Sequence, residues 1–487
     1  MNTQSQRQHR ARRKAELLLF IGLLAAYNIN LRQVSSHDTY ASRFVPISIL
    51  RDGDVILDEF VPDALKRQAG DDFFSDYFVY VRGHFYDSHP PIGPLLALPV
   101  YALPAWIGIP DRPELIANMF SKLAASLMVA LSGVLLFRAS RRMLNPTLAS
   151  AAHDSEHATR VALLAAVAYG LATSVWSTAS LAMWTHTPAV LGFAVALWAL
   201  TAGRVGVAGF AAAAACFSRP ATAPAVALIG LYLVHRAVRD GWTSPRAAQN
   251  RLDVLRFSGS AALTALMGVF YNYWLFGNAV GGAPFRTGYW VQELGTTGMF
   301  TGSLPVGLAG LTVSPSRGIL IYSPIVLLAI YGAVRAWKAP LDSERTAAAF
   351  DRDDALLLAR YLSLAAVAIL LTYSKFIAWW GGHGYGPRYL TDAMPLIAPL
   401  FALGLSPLVA RTSRARIGRM AAIVVLTYSI AIQAIGAFCW PSSWTLNDNP
   451  PYRFRLWDWR ESQIELCIRD GPRLDPAARR LFSKLGL

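Results

Sequence analysis

Long apolar blocks, rather than amphipathic stripes, dominate this chain of 487 residues. It is 54% hydrophobic and only 15% charged, a composition that predicts an all-α polytopic membrane protein. The number of blocks predicts a bundle of about 11–13 transmembrane helices. The twelve candidate spans are 17–31, 92–108, 116–137, 161–178, 187–203, 205–217, 220–235, 257–276, 318–337, 361–379, 391–409 and 418–440.

Basic clusters between the blocks predict the topology. Arg7, Arg10, Arg12, Arg13 and Lys14 precede the first block, and no small-residue cleavage site follows it, so we expect an uncleaved helix with a cytoplasmic N-terminus. The basic loops 138–160, 236–256, 335–360 and 411–419 are expected in the cytoplasm. Loops 32–91, 277–317 and 380–390 and the tail 441–487 are then extracytoplasmic.

The parity of this topology is inconsistent by one crossing. A cytoplasmic N-terminus and an external tail require an odd number of spans, so one of the twelve does not cross. Block 92–108 carries three prolines, and the pair within 205–235 is short and broken at Arg219-Pro220. Thirteen helical residues cover only about 20 Å of a core roughly 30 Å thick. The sequence therefore leaves two candidates for the segment that does not cross, block 92–108 and the pair within 205–235.

The net charge of +15 does not indicate a nucleic-acid partner, because the basic residues lie in short clusters that topology explains. Three cysteines give no metal-binding spacing, and a bridge between Cys439 and Cys467 is left open. We expect one integral membrane domain over 1–440, followed by an extracytoplasmic interfacial tail over 441–487.

The first external loop reverses the charge of the chain. Residues 32–91 hold ten acidic residues and six Lys or Arg. Asp38 follows the first span closely, and a carboxylate retained at the membrane edge suggests pairing or function; the alternative is a helix N-cap. Residues 41–51, which include Arg43, predict a short amphipathic helix on the membrane. Asp58-Glu59 is a second carboxylate pair, which in the simpler interpretation is solvated.

The loop ends in Ser88-His89-Pro90-Pro91, where two prolines fix an extended backbone before the next block. His89 is therefore expected to be held rigidly at the same surface as Asp38. The alternative is an interfacial anchor without a chemical role.

The acidic residue, the amphipathic helix and the His-Pro-Pro motif together resemble the C-type (GT-C) membrane glycosyltransferase superfamily. The resemblance is to the branch of the protein O-mannosyltransferases and the lipid A aminoarabinose transferase. Later motifs look like bacterial lipid-carrier-dependent glycosyltransferases, and the tail beyond about 441 shows no likeness. These motifs are Asn272-Tyr273-Trp274-Leu275-Phe276-Gly277, Thr287-Gly288-Tyr289, Ser314-Pro315-Ser316-Arg317-Gly318, Tyr322-Ser323-Pro324 and the stretch from Trp379 to Leu390, WWGGHGYGPRYL.

The resemblance implies inverting transfer of a sugar from a polyprenyl-phosphate donor to an acceptor at the extracytoplasmic face of the inner or plasma membrane. Such a reaction needs a base for the acceptor and donors for the departing phosphate. Asp38 is predicted to be the base. The residues predicted to bind donor or phosphate are Arg43, His89, Tyr289, Arg317, Lys375, His383, Tyr385 and Arg388, with Asp58, Glu59 and His186 as further candidates.

One position departs from the resemblance, because mannosyltransferases carry an Asp-Glu pair where this chain has Asp38-Thr39. No cofactor is implied, although a divalent metal is left open. A transporter or flippase of a lipid-linked saccharide and a non-catalytic scaffold are the alternative functions. The sugar, the acceptor (saccharide, lipid or protein) and the oligomeric state are not predicted.

Overall fold

The protein is a bundle of α-helices, as the apolar blocks predict. The computed structural model describes residues 3–34, 37–68, 74–75, 77–107, 113–147, 152–239, 245–341, 350–409, 415–440 and 455–472. Its helices are α1 (Thr3–Asn28), α2 (Val45–Arg51), α3 (Asp63–Lys66), α4 (Ile92–Ile107), α5 (Pro113–Thr147), α6 (Ala152–Leu171), α7 (His186–Thr201), α8 (Val205–Ser218), α9 (Ala223–Arg239), α10 (Pro245–Phe276), α11 (Ala283–Leu294), α12 (Leu304–Val313), α13 (Ile319–Tyr322), α14 (Val326–Lys338), α15 (Arg352–Ser374), α16 (Met394–Val409), α17 (Arg416–Cys439) and α18 (Gln463–Asp470).

Many of these helices have the length and composition of membrane spans. Six described helical segments are long and apolar enough to cross a bilayer, and four shorter apolar helices accompany them. The fold class is therefore confirmed as an all-α, multi-pass membrane protein. The six long segments are Ile116–Asn145, Pro220–Arg239, Arg246–Phe276, Arg352–Ser374, Arg388–Val409 and Arg416–Cys439.

Contacts at the two ends of the bundle resolve the parity conflict. At one end, Glu16 of α1 pairs with Arg138 of α5 at 2.7 Å. At the other end, which we call the loop end, Glu114 at the start of α5 accepts a hydrogen bond from Tyr40 at 3.3 Å. Helix α4 lies between residue 91 and this start of α5, so it begins and ends at the loop end. It does not cross, and removing it from twelve candidates leaves eleven, an odd number.

Loop 32–91 combines the predicted helix with a sheet that the sequence did not predict. A 3-10 turn over Ala41–Arg43 continues into α2, which confirms the helix expected over 41–51. Strands β1 (Phe74–Ser75), β2 (Phe78–Val81) and β3 (His84–Asp87) form an antiparallel sheet in that order. With two to four residues each, these strands are too short for their alternation to be visible in the sequence.

The tail packs on the bundle over its described part, 455–472; the rest of 441–487, including Trp444, lies outside the described residues. Helix α18 is capped by Ser462, and Gln463 is fully buried. Ser314 and Ser316 donate to the carbonyls of Leu456 and Arg455. Cys439 and Cys467 are both buried.

Glycines allow the helices around α16 to approach closely. A Cβ on Gly404 of α16 would collide with the carbonyl oxygen of Leu328, and one on Gly332 of α14 would collide with that of Leu400. These backbones touch because neither residue has a side chain, the usual small-residue packing of membrane helices. Residues from Met394 to Ser406 of α16 are buried, which makes it a central helix of the bundle.

We predict that Gly404→Ala destabilises the protein by about 1–3 kcal/mol, because the added methyl group overpacks a backbone contact. Gly259→Ala in α10 is the matched control, since nothing lies within 4 Å of the Cβ position there. Its effect should be neutral or stabilising by up to about 1 kcal/mol. The midpoint of thermal unfolding in detergent measures both. Equal midpoints for the two variants would contradict the packing argument.

Candidate active site

An ion pair between two distant segments lies at the loop end. Arg388 Nη1 is 2.9 Å from Asp38 Oδ2, although the residues are 350 positions apart. Asp38 belongs to a 3-10 turn, His37–Thr39, and Arg388 begins another, Arg388–Ala393, that leads into α16. The side chains are 17% and 8% exposed, so the carboxylate is nearly enclosed yet still reachable.

The glycine-rich turn before Arg388 makes room for its side chain. Gly381, Gly382 and Gly386 adopt positive φ angles, which other residues rarely adopt. A Cβ on Gly384 would collide with the Arg388 stem. The guanidinium also lies 4.8 Å from the ring centroid of Trp184, a cation–π contact. This motif therefore fixes the position of Arg388 by conformation and by volume.

Arg317 supports the same turn from within the protein. Its side chain is fully buried, and it donates hydrogen bonds to the carbonyls of Gly382 at 2.6 Å, of Gly386 at 3.0 Å and of Gly384. Gln463 from the tail accepts a further bond at 3.2 Å. Burial lowers the pKa of Arg317 to about 9, so it is still charged at neutral pH. The structure thus places this predicted phosphate ligand beneath the turn, in contact with its backbone.

An aromatic layer lies beside the Asp38–Arg388 pair. The rings of Tyr77 and His89 stack with centroids 4.7 Å apart. Burial raises the pKa of Tyr77, the Asp38 carboxylate raises it further, and Arg388 opposes both, so the Tyr77 hydroxyl lies within the electrostatic reach of the pair.

Asp87 also contacts His89. Its backbone N–H donates to Asp87 Oδ1 at 2.9 Å, and its Nδ1 lies 3.3 Å from the same oxygen. Ser42 donates to the other Asp87 oxygen. Burial lowers the pKa of His89, against the opposing effect of Asp87, which favours the neutral imidazole. The His89 ring thus contacts both Asp87 and Tyr77.

Arg286 of α11 reaches the same layer from loop 277–317. It donates to the backbone carbonyl of Ser88, and Gly282, just before α11, packs against the Ser88 backbone. Burial lowers the pKa of Arg286; Tyr77 and Asp87 counteract this effect, and Arg219 adds to it. Arg286 therefore brings a second guanidinium into the neighbourhood of Tyr77.

A buried polar cluster lies just beyond Arg388. Asp392 is fully buried and accepts from His186 Nδ1 at 2.8 Å, from Tyr373 Oη at 2.8 Å and from Arg219 Nε at 3.2 Å. Arg219 also donates to Thr185 Oγ1 at 3.2 Å. Asp392 thus orients His186 of α7, Tyr373 of α15 and Arg219 at the end of α8, and it compensates the charge of Arg219. The structure brings His186 to this cluster.

Several predicted site residues have other partners. Arg43 is buried, donates to Asn118 and lies 3.9 Å from the ring centroid of Tyr40. Asp58 accepts from the Phe85 N–H and pairs with His84, both at 2.7 Å, and thereby attaches its turn to β3. Glu59 pairs with Arg51. In the structure these residues organise the described part of loop 32–91.

The remaining predicted residues lie around the later turns. Lys375 is exposed and donates to the Gly302 carbonyl at 3.0 Å, whereas Tyr385 is buried and donates to the Ile432 carbonyl at 3.0 Å. The His383 carbonyl accepts from the Trp440 indole at 2.9 Å. Tyr289 is 44% exposed, and its ring lies 5.4 Å from that of Phe74. Of these four, Tyr289 lies on the same helix, α11, as Arg286.

Sequence reasoning missed Tyr77, Asp87, Arg286, Tyr373 and Asp392. Three of them adjoin motifs that were recognised: Asp87 precedes Ser88-His89, Arg286 precedes Thr287-Gly288-Tyr289, and Asp392 follows the WWGGHGYGPRYL stretch. Extending each motif by one or two polar residues would have found them. Tyr77 and Tyr373 adjoin none of the recognised motifs.

The acids of the site do not fit a divalent ion held by several carboxylates. Among the described residues, no group of three or more His, Cys, Asp or Glu is arranged to hold a metal ion. Asp38 faces a guanidinium, and Asp87 is engaged by Ser42 and His89.

We predict that Arg317→Met lowers the stability of the fold by about 3 kcal/mol, because buried glycine carbonyls lose their donors. Lys375→Met is the control, since this exposed lysine bonds one carbonyl, and its effect should stay within about 0.5 kcal/mol. Thermal unfolding in detergent measures both. An Arg317→Met protein of unchanged stability that fails to bind polyprenyl phosphate would instead make Arg317 a phosphate ligand.

Comparison with known proteins gives structural likeness without sequence likeness. No family model matches the chain, and no curated protein matches it. The oligosaccharyltransferase of Archaeoglobus fulgidus, crystallised with zinc and sulfate, matches 95% of the chain with a TM-score of 0.51 and 15% identity. The chain spans 59% of that protein's length.

A second solved structure is less similar. ArnT from Cupriavidus metallidurans, bound to undecaprenyl phosphate, matches 93% of this chain and 77% of its own length with a TM-score of 0.42 and 15% identity. At 15% identity the likeness concerns only the fold, and it rests on the match with a TM-score of 0.51. The chain therefore shares the fold of the archaeal oligosaccharyltransferase.

Proposed function

We propose that the protein transfers a sugar, with inversion, from a polyprenyl-phosphate donor to an acceptor at the loop end of the bundle. The observation that carries this proposal is the Asp38–Arg388 pair, in which a carboxylate from the first external loop meets a guanidinium from the glycine-rich turn. Fold likeness alone is compatible with many activities, so the residues must carry the argument.

Asp38 has the properties of the base. During transfer, a bond forms between the sugar C1 and the acceptor oxygen on one face, and the bond from C1 to the phosphate oxygen breaks on the other. The acceptor proton must leave as this happens, and a partly exposed carboxylate is suited to accept it. The 17% exposure of Asp38 leaves an approach for the acceptor.

Arginines supply the charge that the leaving lipid phosphate requires. Protonation of Asp38 removes the charge that holds Arg388, so the guanidinium is released from its partner as negative charge builds on the phosphate. Arg286, bonded to a backbone carbonyl, and Arg219, paired with Asp392, add cationic groups nearby. Charge-assisted bonds of guanidinium to phosphate are among the strongest available to a protein.

The positions of the loops give the proposal an orientation. The described tail and the first external loop share the loop end, whereas Glu16 near the basic N-terminus lies at the opposite end. The excess of Lys and Arg in loops of the opposite end favours the cytoplasm for that end. We therefore propose an extracytoplasmic site in the inner or plasma membrane, with a cytoplasmic N-terminus.

Asp38→Asn is expected to lower the release of polyprenyl phosphate from a polyprenyl-phosphate sugar by about 10²–10⁴-fold, since an amide cannot accept the acceptor proton. Asp52→Asn is the matched control in the same loop: its carboxylate is 41% exposed and pairs with Arg51. That variant should retain full activity. Purified protein in detergent, tested with a panel of donors, provides the measurement.

The same assay distinguishes the alternative functions. A transporter or flippase moves its lipid-linked substrate without releasing polyprenyl phosphate, so it gives no signal with any donor. Release that is equally fast in the wild type and in Asp38→Asn would remove Asp38 from the role of base. Unfolding midpoints of both variants, measured in parallel, ensure that any loss of activity is chemical.

A further inference from the structure

Two short hairpins connect the three strands of the sheet at the loop end. Ser75 pairs with Phe78 and Val81 pairs with His84, so each hairpin has a loop of two residues. The common type I′ loop of this length needs a positive φ at both residues, and Gly is preferred at the second. The loop between β2 and β3 follows this rule, because its second residue is Gly83, with a φ of 88°.

The loop between β1 and β2 departs from this rule. Its second residue is Tyr77, which adopts a φ of 66°, a conformation in which a bulky side chain is an outlier. Backbone strain of this kind persists only where the surrounding structure enforces it, and it is concentrated at ligand and active sites. The strain therefore indicates that this position requires the Tyr77 side chain, since the hairpin alone would favour glycine.

The neighbours of Tyr77 fix the direction of its side chain. Its ring stacks on His89 at a centroid distance of 4.7 Å, and Phe74 meets it edge-on at 5.2 Å. The Ser88 N–H donates to the Tyr77 carbonyl at 3.0 Å, and the Ser88 carbonyl accepts a hydrogen bond from Arg286. The backbone of a single residue, Ser88, thus connects Tyr77 to Arg286.

The Tyr77 hydroxyl lies among the charged groups of the candidate site. It is within electrostatic reach of Asp38 and Arg388, and it also acts on the guanidinium of Arg286. Burial raises the pKa of Tyr77, and Asp38 raises it further, so the hydroxyl keeps its proton at neutral pH. The residue is only half-buried, so a ligand can approach it. A protonated hydroxyl within reach of two guanidiniums can donate a hydrogen bond to an anion that binds them.

We propose that Tyr77 is a phosphate-binding residue, whose hydroxyl donates a hydrogen bond to the lipid phosphate that Arg388 and Arg286 attract. This inference rests on the proposed sugar transfer and assigns a neutral donor to its leaving group. It also accounts for the residue type in the hairpin loop. Glycine has no side chain, and the side chains of Asn and Asp, which such loops also accept, are shorter than the phenol ring that carries the hydroxyl away from the sheet.

Binding of polyprenyl phosphate to the full-length protein in detergent tests this role, because it needs neither a sugar nor turnover. Native mass spectrometry with polyprenyl phosphate, and with the polyprenol of the same chain length, separates binding of the phosphate from binding of the chain. Tyr77→Phe should weaken polyprenyl phosphate binding about tenfold, the effect of one hydrogen bond to a charged group, and leave polyprenol binding unchanged. Tyr80→Phe is the matched control on β2, where the Tyr80 ring lies 5.0 Å from that of Phe85; its effect should be below twofold.

Asp38→Asn gives the opposite result in the same measurement. It should bind polyprenyl phosphate at least as tightly as the wild type, because the carboxylate that repels the phosphate is gone, even though release of polyprenyl phosphate is lost. If Asp38→Asn instead released polyprenyl phosphate normally, the proposed base would be wrong, whereas weak binding by Tyr77→Phe would still support the phosphate contact. The two roles can therefore fail independently.

Tyr77→Gly provides a second variant, because glycine is the residue at the equivalent position of the other hairpin, Gly83. It relieves the backbone strain and should bind polyprenyl phosphate no more tightly than Tyr77→Phe does. Wild-type affinity for polyprenyl phosphate in Tyr77→Phe would overturn the proposal, and so would a wild type that binds polyprenol equally well. Equal losses in Tyr77→Phe and Tyr80→Phe would also overturn it, since both tyrosines would then only pack the sheet.

Discussion

The nearly enclosed ion pair between Asp38 and Arg388 is the interaction around which the loop end of this protein is arranged. Removing two charges from water costs several kcal/mol per ion, and an apolar pair of similar volume would often be as stable. Such a pair is therefore weak evidence for stability. Its exposure is small but not zero, and it joins the 3-10 turn His37–Thr39 to the start of the central helix α16. Under the proposed sugar transfer, these features suit a pair that separates during the reaction.

Two arginines use the same glycine-rich turn in different ways. Arg317 binds the backbone carbonyls of the turn, while Arg388 extends over glycines that leave space for its stem. Exchanging either for lysine would remove the planar fork that makes several bonds at once. The turn is thus supported from one side by Arg317 and carries Arg388 on the other. Gln463 of the tail joins this support, so a segment without recognisable motifs contributes to the geometry of the site.

The sequence predicts the fold and part of the site for clear physical reasons. Membrane helices are continuous apolar blocks, and the motifs that contain His89 and Arg388 lie where backbone conformation is restricted by Pro or Gly. Asp38 was identified by its place after the first span. The meeting of Asp392, Arg219 and His186 could not be predicted in this way. Asp392 is 173 positions from Arg219 and 206 positions from His186, and the three residues meet only through helix packing. Arg317 showed the opposite limitation: its motif indicated importance, but not whether its bonds go to a ligand or to the protein.

At the opposite end of the bundle, basic residues that predict the topology also form ion pairs with aspartates. Arg246 pairs with Asp351 at 2.8 Å and Arg236 with Asp354 at 3.4 Å, so the loops that supply the topological signal are partly neutralised after folding. This does not weaken the orientation argument, because insertion depends on Lys and Arg in the emerging loops and hardly on Asp or Glu.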